Sequence, residues 1–302
     1  MEKMIYIILV NYNGCKDTLD CIDSLRFLNY ENYKVIIVDN ASTDDSYEVL
    51  KANVKEDIIL IKSEKNLGFA GGNNIGIDYA LKEGAEGVLL LNNDTLVEPD
   101  FLSKMVENLK EEKVGLVAPK IKYEGKRDYL WFAGGEILWD KFYAIHYGEG
   151  ERDSEKYNKR KELSFITGCS MLISRSLLED IGGLSEDYFM YFEDVDYCVR
   201  AKDAGFKIIY EPEATIYHKV SASTGGEESP FAVQWNTRNR IIFMEKYKNK
   251  VSKATLYKGK VFFYTTRIIK YLQYLLKGRK DKAKSLLKGI KEGRKYNRNY
   301  NC

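Results

Sequence analysis

Proline is scarce in this chain, 4 residues against 23 glycines, and no low-complexity tract or short repeat interrupts it. A proline-rich linker and a repeat architecture are therefore excluded. The five cysteines (Cys15, Cys21, Cys169, Cys198 and Cys302) are odd in number and include no CxxC pair. That argues against a disulfide scaffold or a paired-cysteine zinc site, and fits a reduced, cytosolic protein with buried or incidental thiols. No stretch of about 18 uncharged apolar residues exists, so no membrane span is expected. The early apolar run Met4–Val10 is too short for a signal-peptide core and lacks a small-residue cleavage site after it.

What is present is ordinary globular material. The 302 residues are 44% hydrophobic and 30% charged, enough for a substantial core. The net charge of +2 hides an asymmetry. From Lys246 to Cys302 there are 18 Lys and Arg against 2 Asp and Glu, a net of +16, which leaves −14 for the preceding residues. The sequence therefore divides into a domain over 1–245 and a basic extension over 246–302.

The first half alternates. MIYIILVN, YKVIIVD, DIILIKS, GVLLL and VGLVAP are short apolar runs that read as buried strands, and amphipathic segments separate them. Ser42 and Asp44 are placed to cap a helix through Leu50, NLGFAGGNN reads as a glycine-rich loop before a helix, and Pro99 stands in a helical first turn. Such alternation predicts a mostly parallel sheet with helices on both faces. From about Ile121 the pattern changes. YLWFAGGEILW reads as a hairpin or a pair of short strands around Gly134 and Gly135, GEGERDSEKYNKRKE as a mobile polar loop, and Glu193–Ala204 as a helix. The domain thus divides into halves over 1–120 and 121–245.

In parallel sheets ligands bind beyond the carboxyl ends of the strands. Here those ends read NYN, DNAS, NLGFAGGNN and NND, all polar or glycine-rich. Asn92-Asn93-Asp94 is either a turn or an oxygen-rich metal site, and His218 closes the alternating segment EATIYH. Asp39 can accept hydrogen bonds from a base or from ribose hydroxyls, where its structural alternative is to brace its own turn. The glycines at 68, 71, 72 and 76 do not follow the GxGxxG pattern, yet would let backbone approach a ligand at a helix start. Glu193, Asp194 and Asp196 crowd one helix start. The helix dipole accounts for some of them, and crowding raises a carboxyl pKa toward that of a general base. Tyr188, Phe189, Tyr191 and Phe192 would wall such a site, or simply fill core.

Taken in order, VNYN, VDNASTD, NLGFAGGNN, LLLNNDT, GCSMLISR, YFMYFEDVDYCVR, YH and RN resemble the family 2 inverting glycosyltransferases of the GT-A fold, in particular their rhamnosyltransferase-like branch. The resemblance covers about residues 4 to 245 and implies a nucleotide-binding half over 1–120 and an acceptor and catalytic half over 121–245. It implies a GT-A type Rossmann-like, mostly parallel α/β sheet and an enzyme that moves a sugar from a nucleotide-sugar donor to a glycan or lipid-linked acceptor in cell-surface polysaccharide synthesis. The first donor implied is dTDP-rhamnose, with a UDP-hexose or UDP-galactofuranose as alternatives. By the same resemblance, Asp39 would contact the base, with Val10, Asn11, Asn13, Asn40, Gly68, Gly71, Asn73 and Asn93 about the nucleotide-sugar. Asp94 and His218 would bind Mg2+ or Mn2+, Asp194 beside Glu193 would be the catalytic base, and Arg238 would meet the departing diphosphate. The sequence departs from the family's Asp-x-Asp pattern at Asn92, a neutral and weaker ligand. That departure favours a rival reading, an inactive nucleotide-sugar-binding scaffold of the same fold. A nucleotidyltransferase would need a basic glycine-rich signature near the first strand, and VNYNGCKDTLD is not one.

In the extension, Val261, Phe262, Ile268, Ile269, Leu272, Leu275 and Leu276 fit one helical face, continued by Leu286, Leu287 and Ile290, with basic residues elsewhere. Such a helix either lies on an anionic membrane or packs on the domain. The expectation is a cytoplasmic enzyme, peripheral on the inner face of a membrane, with no nucleic-acid partner and its oligomeric state open.

Overall fold

The structure, a computed structural model, describes residues 2–55, 57–220 and 229–300, with no side-chain description for 297–300. Cys302 lies outside the described residues. The other four cysteines are unpaired thiols. The chain forms two compact units, one from the described residues within 1–136, 146–189 and 193–223, the other from those within 137–145, 190–192 and 224–302.

In chain order the elements are β1 (Ile5–Asn11), α1 (Cys15–Leu25), β2 (Tyr33–Asp39), α2 (Ser46–Asn53), β3 (Ile58–Lys62), α3 (Gly68–Lys82), β4 (Gly87–Leu91), β5 (Thr95–Val97), α4 (Phe101–Glu107), β6 (Val114–Tyr123) and β7 (Lys126–Phe132). A ribbon of β8 (Gly135–Leu138) and β9 (Tyr143–His146) comes next, then β10 (Lys161–Glu162), β11 (Ser170–Ser174), α5 (Arg175–Ile181), α6 (Glu193–Asp203) and β12 (Lys207–His218). The main sheet has the order β10-β12-β6-β11-β4-β1-β2-β3, with β5 branching from β12 and β7 from β6. Strands β1 to β4 are mutually parallel and β12 is parallel to β6, whereas β11 runs antiparallel between β4 and β6. This is the mostly parallel α/β sheet the alternation calls for. Ile5, Ile7, Ile8 and Leu89 are fully buried, as strands covered on both faces should be.

Three local readings of the sequence need correcting. The glycine-rich stretch is no loop. It forms the first turns of α3. A Cβ on Gly72 would stand 2.8 Å from Val10 Cγ1, and one on Gly76 2.6 Å from Ile8 Cγ2, so these glycines let α3 lie close on β1. Of the two readings around Gly134 the hairpin fails and the pair of short strands holds, since β7 pairs with β6 and β8 with β9. The polar segment after Gly148 is anchored: the buried Lys120 ammonium meets Asp153 at 3.0 Å, Tyr157 is buried, and the Tyr210 hydroxyl donates to the Tyr157 carbonyl. A buried ammonium has to be paired, so Asp153 ties the segment down.

The second unit contains α7 (Pro230–Lys246), α8 (Lys253–Leu276) and α9 (Lys280–Tyr300). Ser229 caps α7 by accepting from the Ala232 amide, with Pro230 in the first turn. Gly278, at φ 68°, turns the chain between α8 and α9. On α9, a Cβ at Gly289 would fall 2.4 Å from the Gln234 carbonyl oxygen and one at Gly293 2.8 Å from that of Arg238. The two glycines, four apart, bring α9 backbone-close to α7. Leu286 and Ala283 are buried with Val233 and Tyr274, and Ile290 packs against them. The apolar stripe therefore does not continue unbroken from α8 along α9. Among the described residues no helix is long and apolar enough to cross a membrane.

Replacing Gly76 with valine is expected to cost about 1–3 kcal/mol by overpacking against Ile8. Urea unfolding measures it, and an unchanged midpoint would mean that α3 does not sit on β1 as described.

Candidate active site

The carboxyl ends of β1 and β2 lie side by side, with Asn11 in register with Asp39. Asp39 is fully buried, and its carboxylate accepts from the Ser42 amide (3.1 Å), the Ser42 hydroxyl (2.7 Å) and the Asn11 amide nitrogen (2.9 Å). Asp39 thus braces its own turn, the structural alternative weighed above. Ser42 serves that brace and caps no helix, whereas the Asp44 carboxylate accepts from the Ser46 amide at the start of α2. The network runs on: Thr18 donates to Asn11 Oδ1, and Asn93 donates to Thr18 Oγ1, both at 2.9 Å. Asn11, Asp39 and Asn93 are therefore one polar chain spanning three strand ends. Asn13 is exposed with φ 54°, and its side chain pairs with the Thr43 amide and hydroxyl.

Asn40 holds the entry to α3, accepting from the Leu67 amide and donating to the Gly68 carbonyl. Gly68 has φ 70°, and a Cβ there would collide with the Phe189 carbonyl at 2.0 Å, so only glycine fits. The Leu67, Gly68 and Phe69 amides are already taken by Asn40, Asn66 and Phe189. The helix start is thus less open to a phosphate than the glycines suggest. Gly71 is pressed on Leu67, and Asn73 is buried and donates back to the Phe69 carbonyl. Val10, partly exposed, is the residue on which Gly72 packs.

Asp94 leaves the end of β4, and β5 follows at once. β5 pairs antiparallel with β12 so that Thr95 faces His218. That register places Asp94 Oδ1 3.1 Å from His218 Nε2, both side chains almost fully buried. Burial alone would lower the His218 pKa, but the Cys169 sulfur and the Asp94 carboxylate outweigh it and push it up to about 10. His218 Nδ1 is buried without a hydrogen-bond partner. Asn92 is partly exposed at the same strand end, and its backbone amide donates to the Cys169 carbonyl. Among the described residues no group of three His, Cys, Asp or Glu side chains is placed to hold a metal ion. The pair nonetheless fits a hard divalent cation, which takes one or two protein ligands and completes its shell with phosphate oxygens and water. His218 would have to release its proton to join.

The second acidic group opens α6. Glu193 is buried with Oε2 unpartnered, and burial followed by the neighbouring Asp194 charge raises its pKa well above the carboxylate range. Burial also raises the Asp194 pKa, but backbone amides oppose it: Gly168 N–H donates to Oδ2 at 3.1 Å and Val195 N–H to Oδ1 at 2.8 Å. Both carboxyl pKa values are thus raised, Glu193 well above the ordinary range, while two backbone amides hold the rise at Asp194 back. Asp196 takes the structural part, fully buried against Arg200 Nε at 3.0 Å. Sequence reasoning missed Gly168. The two-residue segment Gly168–Cys169 touches both acidic groups, with Gly168 on Asp194 and Cys169 beside His218 and Asn92. The only signal was the small-residue run TGCS before β11.

In the second unit, Arg238 lies over the rings of Trp235 and Tyr296, at 5.0 and 5.7 Å from their centroids. Its neighbour Asn239, also passed over from sequence, is fully buried and donates to the carbonyls of Met190 (2.9 Å) and Tyr191 (2.8 Å). Tyr191 and Phe192 follow with φ 70° and 76°, strained for aromatic residues, immediately before Glu193 in the chain. Phe192 packs on Phe243. Tyr188 and Phe192 are thus core, one in each unit.

A sequence model described as Glycosyl transferase family 2 matches residues 6–182. The low-salt glycan biosynthesis hexosyltransferase Agl10 of Haloferax volcanii is 28% identical over 238 residues, 78% of this chain and 74% of that one. The dTDP-rhamnosyl transferase RfbF of Shigella flexneri is 24% identical over 255 residues, 82% of this chain and 81% of that one. The chain spans only 23% of a further relative, the uncharacterized Sinorhizobium fredii protein y4gI, at 28% identity. Among solved structures, GalNAc-T7 with UDP, GalNAc and Mn2+ aligns at a TM-score of 0.64 and 14% identity, over 80% of this chain and 48% of that one. That likeness shows the fold, GT-A.

The chain has two histidines. Burial pushes His146 down to about 4, and His218 stands at about 10. In metal-free protein neither ring is expected to titrate between about pH 5 and 9, against an ordinary value of about 6.5. Proton NMR of the two rings measures this, and a midpoint near 6.5 for His218 would contradict the Asp94 contact. The stability signs follow. His146 costs stability as pH falls from about 6.5 toward 4, because only the unfolded chain takes the proton. His218 contributes fully below about 6.5, and that contribution is lost as pH rises toward 10. Separately, Asn239→Ala removes both of its hydrogen bonds to the strained segment and is expected to cost about 2–4 kcal/mol in denaturant unfolding. A cost near zero would show that the strained segment holds without it.

Proposed function

Because the chain belongs to glycosyl transferase family 2, we propose that it transfers a sugar, with inversion, from a nucleotide-sugar to a hydroxyl of a glycan or lipid-linked acceptor in polysaccharide synthesis. The observation that carries this reading is the Asp94–His218 contact at the carboxyl edge of the sheet, in the same unit as the Glu193–Asp194 pair. The 1–245 domain carries the reaction, and 246–302 is its basic extension.

Asp94 and His218 are the side chains that hold Mg2+ or Mn2+. Bound there, the ion supplies positive charge against a departing diphosphate. Asn92 contributes no charge, so the site relies on one carboxylate, and metal affinity is correspondingly modest. Asn11, Asn13, Asp39, Asn40 and Asn93 form the polar shelf for the nucleoside, which Ser42 shares by bonding both Asp39 and Asn11. Arg238 is assigned to the diphosphate. A single displacement needs no enzyme nucleophile. It needs a base for the acceptor proton, and that base must be ionised. Asp194 meets the requirement. Gly168 and Val195 donate one hydrogen bond to each of its oxygens, which stabilises the ionised form and leaves further lone pairs to take the acceptor proton. Glu193, whose pKa burial and the Asp194 charge raise well above the ordinary range, is the harder of the two to ionise.

For the donor we favour dTDP-rhamnose, supported by the likeness to RfbF, with a UDP-hexose or UDP-galactofuranose next. Asn92 favours a second reading, a nucleotide-sugar-binding scaffold without turnover. One experiment separates the two: nucleoside diphosphate release from dTDP-rhamnose, UDP-galactose and UDP-galactofuranose in the presence of Mn2+ and a glycan acceptor. Turnover is expected with one donor. Asp194→Asn is expected to keep donor affinity and lose turnover by a factor of roughly a hundred or more. Turnover of the variant at the wild-type rate would remove the base assignment. Binding without turnover in the wild-type chain would select the scaffold.

A further inference from the structure

Helix α8 has two apolar faces, and among the described residues only one of them has a partner inside the second unit. Gly259, Phe263 and Tyr274 are buried, with Gly259 held against Phe142, where a Cβ would stand 2.8 Å from Cδ2. On the other side Tyr257, Val261, Ile268, Ile269, Leu272 and Leu276 recur at three-, four- and seven-residue spacing and stay in solvent, Ile268 at 61% and Leu276 at 88% exposure. From Tyr257 to Leu276 the stripe is about 29 Å long at a rise of about 1.5 Å per residue. A contiguous apolar patch of that length is rare on a surface that meets only water.

Charge selects the partner. Lys258 interrupts the stripe, and Lys277, Arg279, Lys280 and Lys284 are exposed at its far end. The segment from 246 onward carries 18 basic residues and only Asp281 and Glu292 as acids. A second copy seated on the stripe would bring two such tails, each near +16, against one another, which costs free energy. An apolar face edged by cations instead matches an anionic bilayer, whose headgroups attract the lysines while its acyl boundary takes the apolar side chains.

We propose that the exposed face of α8 lies in the interface of an anionic phospholipid membrane, with the helix parallel to the surface. The chain has no membrane-crossing helix among its described residues, and this mode of attachment needs none. Aromatic Tyr257 at one end of the stripe and the lysines past Leu276 at the other sit where the bilayer changes from apolar to polar. The proposal stands apart from the reaction assigned above, since it rests on other residues.

The test is flotation of the full chain with phosphatidylcholine vesicles containing about three parts in ten phosphatidylglycerol, against phosphatidylcholine alone, at low and high salt. The wild-type chain is expected to float with anionic vesicles and to lose roughly tenfold in partition with neutral ones or at high salt. The double variant Ile268→Asp, Leu272→Asp is expected to lose at least roughly tenfold more, while keeping the wild-type unfolding midpoint because both side chains are already in solvent. Equal flotation of variant and wild type would overturn the proposal. So would wild-type protein that ignores both vesicles, or that proves to be a dimer in light scattering which the variant makes monomeric.

Discussion

The pairing of three residues, Thr95–Val97, with the end of β12 is the constraint on which the candidate site depends. Without it Asp94 would be an acidic turn residue after a buried strand, and His218 an isolated imidazole. With it the two side chains meet at 3.1 Å inside the protein. The register matters more than the strand's length. A one-residue slip in β12 would turn His218 to the opposite face of the sheet. β12 is itself fixed by nine paired positions along β6, with irregularities at Lys207/Ile208 and Glu211/Thr215. The second of these re-aims the last residues of β12 toward β5.

Around that pairing the sheet edge is held by side-chain hydrogen bonds. Asn11, Thr18, Asp39, Ser42 and Asn93 form one buried network that locks the ends of β1, β2 and β4 relative to each other. Lys219, next after His218, bonds both Asp17 and Asp20 of α1 at 2.7 Å, so the histidine strand is tied to the first helix as well. Between the two acidic groups stands the segment Gly168–Cys169, touching Asp194 through one amide and Asn92 through one carbonyl. Satisfied buried polar networks of this kind fix one arrangement, because any partial alternative leaves a desolvated donor or acceptor. A site built this way is rigid before any ligand arrives.

Much of this was legible in the sequence, for identifiable reasons. Strands buried on both faces, such as MIYIILVN and YKVIIVD, advertise a parallel sheet, and their polar last residues mark the functional edge. The resemblance put Asp94 and His218 on one metal. The strand pairing that joins them could not be read from the residues, because a three-residue strand gives no periodicity and register is a long-range property. The glycines of α3 misled because glycine serves close packing and open loops equally, and only neighbours such as Ile8 and Val10 distinguish the uses. The bracing of Asp39 by Ser42 and Asn11 could not be seen, because a strand-end carboxylate has no sequence mark for a partner three residues on. Asn239 passed unnoticed because a helical asparagine among polar residues looks solvated, and its two carbonyl partners are nearly fifty residues away. The tail's periodicity indicated apolar helix faces, but Gly278, where α9 begins its return along α7, carried no signal that Leu286 and Ile290 would be covered and Leu272 left bare.

The central claim is that Asp94 and His218 make a metal-dependent nucleotide site of this sheet edge. Calorimetric titration of UDP, GDP and dTDP, each with and without Mn2+, into wild type and Asp94→Ala tests it directly. The account requires one nucleotide to bind only when Mn2+ is present, and that binding to vanish in Asp94→Ala. Binding that ignores Mn2+, that survives Asp94→Ala, or that fails for all three nucleotides would contradict it, and would return Asn92-Asn93-Asp94 to the status of a turn.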